Sequence, residues 1–265
     1  MPELPDVETL KRYFDATSLH QRIADVDVRS ADLLKGISGR ELVRRLKGQR
    51  FESTCRHGKH LFARADDYIW LRLHFGMTGS LGYFKGIEKA PRHARVLFVF
   101  ANNYRLAFED QRKFGEVGLI GDVDEFLKKR SLGPDALDVD LAEFKEMFAK
   151  HRGPVKTILM NQHLIAGIGN IYADEILFHA RVHPATQIAS LSGKDRRRLF
   201  RAMRHVLEKA IEYHADANRM PKAWLLLYRG KGEKCPRCGR ELKSSKIGGR
   251  TAWFCPHCQK RTPVT

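Results

Sequence analysis

Apolar residues at Val7, Leu10, Phe14 and Ala16 recur at roughly helical spacing, so residues 1–16 read as a helix. Pro5 suits the first helical position, where a missing N–H costs nothing. From about Ile23 to Leu119 the texture changes to short apolar runs broken by turn signals. "ELVRRLKGQRFESTCR", "HLFARADDYIWLRLHF", "RVLFVFANNYRLAFED" and "FGEVGLIG" predict short strands in an antiparallel sandwich or barrel, with a hairpin turn at "ANNY". The stretch "RSLGPDALDVD", carrying Gly133 and Pro134, reads as a linker over 131–140. Helical spacing returns from about Leu141 to Tyr213 in "DLAEFKEMFAKH", "YADEILFHARV" and "GKDRRRLFRAMRHVLEKAIEYH". Near the end, "ELKSSKI" and "RTAWF" flank Gly248–Gly249, a dipeptide suited to a tight hairpin. The pattern predicts a multidomain α+β chain with units at 1–130, 141–228 and 229–265.

Composition narrows the partners. The 265 residues include 48 Lys and Arg against 31 Asp and Glu, a net charge of +17. Such an excess favours a polyanion. An anionic membrane surface would also attract it, but no strongly basic amphipathic helix stands out. No apolar run approaches the roughly 18 residues of a membrane span. Charges at Glu3, Asp6 and Glu8 leave no apolar region for a signal peptide. The expectation is a soluble, intracellular protein.

Five cysteines are present, four of them in "CPRC" and "CPHC" at Cys235, Cys238, Cys255 and Cys258. Two C-x-x-C knuckles at this separation match a structural zinc site, one ion held by four thiolates. Two disulfides are the alternative, disfavoured inside a cell. Cys55 is left over in an apparent strand and reads as an inert, partly buried thiol. Between Arg229 and Arg261 ten Lys or Arg face only Glu233 and Glu241. A hairpin this small takes its shape from the metal, so a rigid basic finger is expected. The charge bias favours nucleic-acid contact over a purely structural ribbon. In "LIAGIGNIYADEILF", Gly167 and Gly169 precede Asn170 at an expected helix start near Ile171. Such a turn aims backbone N–H groups at an anion, although an ordinary turn fits the same residues.

Seven motifs, in order along nearly the whole chain, resemble the formamidopyrimidine-DNA glycosylase/endonuclease VIII family of base-excision repair enzymes. They are "PELPDVE", "GKHL", "HFGMTGSL", "EDQRKFG", "SLGPDAL", "GIGNIYADEILF" and "GGRTAWFCPHCQK". The resemblance implies an N-terminal β-sandwich, a helix–two-turn–helix domain and a C-terminal zinc finger, with DNA held in the cleft between. It implies removal of Met1, so that the amine of Pro2 becomes the nucleophile. Glu3 then shuttles protons, where its residue type alone fits a helix-end charge equally well. The resemblance also assigns Lys59 to the damaged base and nearby phosphate, Arg250, at the finger tip, to phosphates beside the lesion, and Asn170 and His74 to further phosphate contacts. On their own, Asn170 suits an N-cap and His74 a strand surface. By the same resemblance Met77, Arg112 and Phe114 are expected to fill the gap left by a flipped base, where sequence alone suggests core positions for Met77 and Phe114.

The implied activity is bifunctional: excision of ring-opened or oxidised purines, with oxidised pyrimidines as a further class, then strand cleavage by β/δ-elimination. A non-catalytic damaged-DNA-binding paralogue is the alternative. The implied partner is damaged double-stranded DNA, bound by a monomer, with no membrane. The expected location is the bacterial cytoplasm at the nucleoid, or the nucleus in a eukaryote. Two departures matter. Gln111 and Lys113 flank Arg112 where related members often carry proline and arginine. The segment His214–Tyr228 is shorter than the one that covers the flipped base in members preferring oxidised purines, which predicts weak preference among damaged bases.

Overall fold

The computed structural model describes residues 1–66, 68–86 and 88–260. Arg261, counted in the charge of the finger, lies outside them. The chain divides into two compact units: Met1–Pro2 with Asp6–Ser131, and Glu3–Pro5 with the residues from Leu132 onward.

In the first unit, helix α1 (Leu4–Ser18) starts one residue before Pro5, still within the first turn, where N–H groups have no helical partner. The strands are β1 (Ile23–Val28), β2 (Phe51–His57), β3 (His60–Ala65), β4 (Trp70–His74), β5 (Gly79–Lys85), β6 (Ala94–Phe100), β7 (Tyr104–Asp110) and β8 (Glu116–Ile120). They form two antiparallel four-stranded sheets, ordered β1-β6-β7-β5 and β2-β3-β4-β8. Alternate residues of each, such as Leu71 and Leu73 on β4 and Phe98 on β6, share one core with Val7 and Phe14 of α1. The opposite face of β4 presents Arg72 and His74.

Part of the region expected to be strands is helical. Helix α2 (Gly39–Leu46) begins where the Ser38 hydroxyl accepts from the Glu41 amide at 3.2 Å. Leu42 and Leu46, one turn apart, are fully buried. This capped turn inside "ELVRRL" outweighs the strand-like look of the longer run. A further short helix, α3 (Val123–Lys129), is capped by Asp122.

The second unit is helical, followed by a hairpin. Its helices are α4 (Leu141–Ala149), α5 (Val155–Leu159), α6 (Asn170–His179) and α7 (Gly193–Glu212). Residues 132–140 belong to it: Ala136 and Val139 are buried in its core, and Asp135 bridges Ala166. The segment after α7 also packs inward. Met220, Trp224 and Leu225 are buried, and the Leu225 and Leu226 amides donate to the buried Glu175 carboxylate at 3.1 and 2.6 Å. Strands β9 (Lys243–Ile247) and β10 (Arg250–Phe254) pair through Gly248 and Gly249, both at positive φ (57° and 74°), as a tight hairpin requires.

One buried carboxylate shapes two turns of the first unit. Asp110 ends β7 with no exposed surface. Its Oδ1 accepts from the Thr78 hydroxyl at 2.5 Å and the Arg112 amide at 3.2 Å, and its Oδ2 accepts from the Gly115 amide at 2.7 Å. The turn after β4 is thereby tied to the turn after β7. Asp110→Ala leaves buried donors without partners, and each costs about 1–3 kcal/mol. The expected result is a fall in denaturant midpoint with an unchanged slope, larger than that of Asp110→Asn.

Candidate active site and nucleic-acid interface

The start of the chain is fixed by an anion site that the chain fills itself. The Glu3 side chain is 1% exposed. Its carboxylate accepts from the Gly169 and Tyr172 amides at 2.8 and 3.1 Å through Oε2, and from the Ile171 amide at 2.8 Å through Oε1. These are the donors of the first turn of α6, where the helix dipole also favours negative charge. The Gly167–Gly169 turn therefore does receive an anion, and that anion is Glu3. A Cβ on Gly169 would collide with the Glu3 carboxyl group, and one on Gly167 (φ +111°) would meet Leu4 Cδ1 at 2.6 Å. The Leu4 amide donates to the Gly167 carbonyl at 3.0 Å and completes the anchor. Asn170 is the first residue of α6 rather than its cap, a position taken by Gly169. Its buried Oδ1 has no hydrogen-bond partner among the described residues.

In the first unit, Lys59 occupies the β2–β3 turn beside Gly58, whose φ is +56°. His74 ends β4, paired across the sheet with Glu116 and with His60, whose ring centroid lies 4.9 Å away. The Gly76 amide donates to His74 Nδ1 at 3.3 Å, so the neutral ring carries its proton on Nε2 and presents a donor there. Burial brings His74 down to about 4, with Arg72, Lys59 and Arg130 adding to the effect and Glu116 opposing it. Burial also holds His60 well below the usual histidine range, helped by His74, Arg72, Arg130 and His57. Arg72, 2% exposed, donates to Glu116 at 2.8 Å and lies 5.1 Å from the centroid of the Phe126 ring.

Met77 and Phe114 are exposed apolar residues, 39% and 55% accessible, on the two turns tied by Asp110. Neither is a core residue. The Arg112 guanidinium lies 5.0 Å from the Phe114 ring centroid, a cation–π pair. At Gly76 (φ +55°) the turns approach so closely that a Cβ would strike the backbone of Phe114 and Gly115. Glycine is required there, and it keeps Met77 near Phe114.

In the finger, the sulfurs of Cys235, Cys238, Cys255 and Cys258 lie within 4.8 Å of one another. Cys238 and Cys255 are 3.5 Å apart, and Cys235 and Cys258 are 4.0 Å apart. Zn–S bonds of about 2.3 Å in a tetrahedron need sulfurs roughly 3.8 Å apart, so the set fits zinc. Without a cation the four groups oppose one another: burial and neighbouring thiols push Cys258 up to about 12, while the Arg240 amide brings Cys238 down to about 6. A bound dication removes that conflict by taking all four as thiolates. Arg250 opens β10 directly after the glycine turn. Cys55 lies on β2, and burial raises its thiol, as suits an inert side chain.

Sequence reasoning missed Asp110, Lys156, Asp174 and Glu175 as determinants of the site. All four are charged and buried; in sequence Lys156, Asp174 and Glu175 stand among apolar residues, whereas Asp110 sits in the polar run "EDQRK". "EDQRKFG" and "YADEILF" contain three of them. Charged residues inside periodic apolar runs were the available signal.

Two outcomes follow from this geometry. His60 and His74 are held neutral in the fold but titrate near the ordinary value when unfolded. Below that value the unfolded chain therefore binds more protons, and stability falls as pH drops from about 6.5 towards 4. Urea midpoints at pH 7 and pH 5 test this, and His60→Phe should flatten the dependence. Metal analysis should find one zinc per chain. Chelation should unfold the finger and lower DNA affinity, with little effect on the core of the first unit.

Comparison with known proteins agrees with the fold and the metal set. Residues 1–117 match the formamidopyrimidine-DNA glycosylase N-terminal domain, residues 132–222 its H2TH domain, and residues 232–261 a zinc finger found in FPG and IleRS. The formamidopyrimidine-DNA glycosylase of Pelotomaculum thermopropionicum is 34% identical over 275 residues, spanning 98% of this chain and 99% of the relative. That of Bacillus subtilis is 33% identical over 276 residues, spanning 98% and 100%. Among solved structures, Lactococcus lactis Fpg (MutM) in complex with DNA containing N7-benzyl-Fapy-dG superposes with a TM-score of 0.89 at 30% identity, over 98% of this chain and 100% of that one. A complex of the same enzyme with DNA containing an abasic site gives the same values. Three consecutive domains and full-length similarity show that the chain belongs to the formamidopyrimidine-DNA glycosylase family.

Proposed function

We propose that this DNA glycosylase is bifunctional, excising a damaged base through Pro2 and then cutting the strand at the abasic site. The observation that carries the reading is the anchoring of Glu3. A buried carboxylate held by three amides fixes the residue next to Pro2, so a proton acceptor adjoins the nucleophile. Once Met1 is removed, Pro2 is a secondary amine, and an α-amino group is partly neutral near pH 7. Its lone pair forms a bond to C1′ as the glycosidic C–N bond breaks and the base leaves with a proton. The amine proton passes to Glu3, O4′ takes up a proton as the C1′–O4′ bond breaks and the sugar ring opens, and an iminium ion results. That ion acidifies the C2′ protons. Removing one expels the 3′ phosphate, and a second elimination expels the 5′ phosphate. Glu3 serves as the proton shuttle in these steps.

The remaining residues fit a grip on damaged duplex DNA. In the first unit, Lys59 and the Nε2 donor of His74 suit phosphate contacts. In the second, so do Asn170, at the start of α6, and Arg250, at the finger tip. Arg250 can bond a phosphate bidentately. Met77, Arg112 and Phe114 form an exposed wedge with one guanidinium, suited to filling the space of a flipped base. The reading includes a monomer acting inside the cell. Among the described residues no helix is long and apolar enough to cross a membrane.

Substrate breadth is part of the proposal. The segment His214–Tyr228 has Met220, Trp224 and Leu225 buried in its own unit and is held there by Glu175, which supports the view that it is no lid over the base. A site lacking such hydrogen bonds discriminates weakly among bases. Ring-opened purines, some oxidised pyrimidines and abasic sites should all be processed, with 8-oxoguanine the slowest.

Borohydride trapping and single-turnover rates on matched duplexes test the reading. The wild type should form a covalent adduct at the N-terminal proline and cut an abasic site faster than it excises 8-oxoguanine opposite cytosine. Glu3→Gln should retain binding while base excision falls at least about a hundredfold. A fully active sample that still carries Met1 would remove Pro2 from the mechanism. Equal rates on 8-oxoguanine and the abasic site would end the argument for broad specificity.

A further inference from the structure

Behind the finger tip lies a buried cluster of charge that the chemistry above does not use. Asp174 on α6 is 1% exposed, and Lys156 on α5 has no exposed surface. Asp174 Oδ1 accepts from Lys156 Nζ at 2.6 Å. Its Oδ2 accepts from Arg229 Nε and Nη2 at 3.2 and 2.9 Å, and from the Trp253 amide at 3.1 Å. Lys156 Nζ also donates to the Thr251 carbonyl at 3.1 Å. Thr251 and Trp253 lie one and three residues after Arg250 on β10. The turn before Arg250 is held as well: a Cβ on Gly248 would lie 2.8 Å from Thr157 Oγ1. The hairpin is therefore tied to α5 and α6 by two backbone hydrogen bonds after Arg250, and packs closely on α5 at Gly248 before it.

Asp174 also stands four residues after Asn170, one turn along the same face of α6. A buried ion pair is a poor source of stability, because desolvating the charges offsets their attraction. What this one supplies is geometry. The Trp253 amide bonded to Asp174 on α6 and the Thr251 carbonyl bonded to Lys156 on α5 leave β10 one register against the two helices, whereas an apolar contact would tolerate sliding.

We propose that Asp174 is a positioning residue that locks the finger hairpin to α6, so that Arg250 and Asn170 meet the DNA backbone at a set spacing. This rests on the reading of Arg250 as a phosphate ligand. Asp174 does not touch DNA. Its own charge would repel phosphate, so removing it by simple electrostatics should strengthen binding. A positioning role demands the reverse.

The test uses the full-length zinc-loaded protein and an uncleavable duplex carrying a tetrahydrofuran abasic analogue. Dissociation constants are measured over a range of salt for the wild type, Asp174→Asn, Arg250→Ala and the double variant. Arg250→Ala should weaken binding about tenfold to a hundredfold. It should also reduce the slope of log K against log salt by about one. Asp174→Asn should weaken binding and lower the slope in the same direction, with one zinc per chain retained. The double variant should bind about as well as Arg250→Ala alone, because both changes remove one contact.

Losses that multiply in the double variant, or tighter binding by Asp174→Asn, would overturn the positioning role. Unchanged affinity in Arg250→Ala would overturn the phosphate reading and this inference with it. Should Asp174→Asn fail to fold, Lys156→Met replaces it. That change removes the donor to Thr251 while Arg229 still neutralises Asp174, and the same comparison with Arg250→Ala decides.

Discussion

The placement of the N-terminus depends on one carboxylate. Glu3 accepts from three amides at the start of α6, and hydrogen bonds to a charged group contribute about 1.5–3 kcal/mol each. An N-terminus is ordinarily the least ordered part of a chain. Here the first residues are tied to a helix more than 160 positions away, and two glycines are needed to admit them. The nucleophile proposed at Pro2 gains its fixed position from this tie, since a residue adjoining a buried, bonded neighbour has little freedom left. The proposed site is thus built on a helix terminus, which combines free N–H donors with a favourable dipole.

The same device recurs at three other segments of this protein. Asp110 gathers two turns, Glu175 accepts the backbone of the segment before the finger, and Asp174 accepts the backbone of the finger itself. Each is a buried acid whose partners include main-chain amides. Turns, and the outer edges of a two-stranded hairpin, lack ladder partners, so their amides need other acceptors when they are buried. A carboxylate offers two oxygens and can bond several such amides at once. Two of these acids, Asp110 and Asp174, hold the turns and the hairpin that carry Met77, Phe114 and Arg250.

The finger is a different solution to the same problem. Its own buried apolar residues are few: Leu242, Ile247, Ala252 and Phe254 among the described residues, with Leu242 and the cysteines packed on Phe178 and Leu225. Four thiolates around one zinc replace the missing core, and the net positive surface then costs little in folding because the metal centre supplies the cohesion. The hairpin is thereby free to carry lysine and arginine along its length, which a core-stabilised hairpin of this size could not do.

The sequence by itself determined much of this protein. Period-two and helical patterns marked most of the elements, the paired C-x-x-C spacing marked the metal, and the charge marked a polyanion partner. These signals are local or additive, so they survive without a structure. The helix α2 was hidden because six of its eight residues sit inside a longer run that also suits strands. Only the tertiary structure decided which anion the glycine turn of α6 receives, since Glu3 reaches it from the other end of the chain. It also decided that Met77 and Phe114 are exposed, because Asp110 and Gly76 hold their turns outward against the ordinary preference of apolar side chains. Buried charges such as Lys156 and Asp174 were unreadable for the same reason: their partners are distant in sequence, and a charge becomes tolerable inside a fold only when those partners arrive.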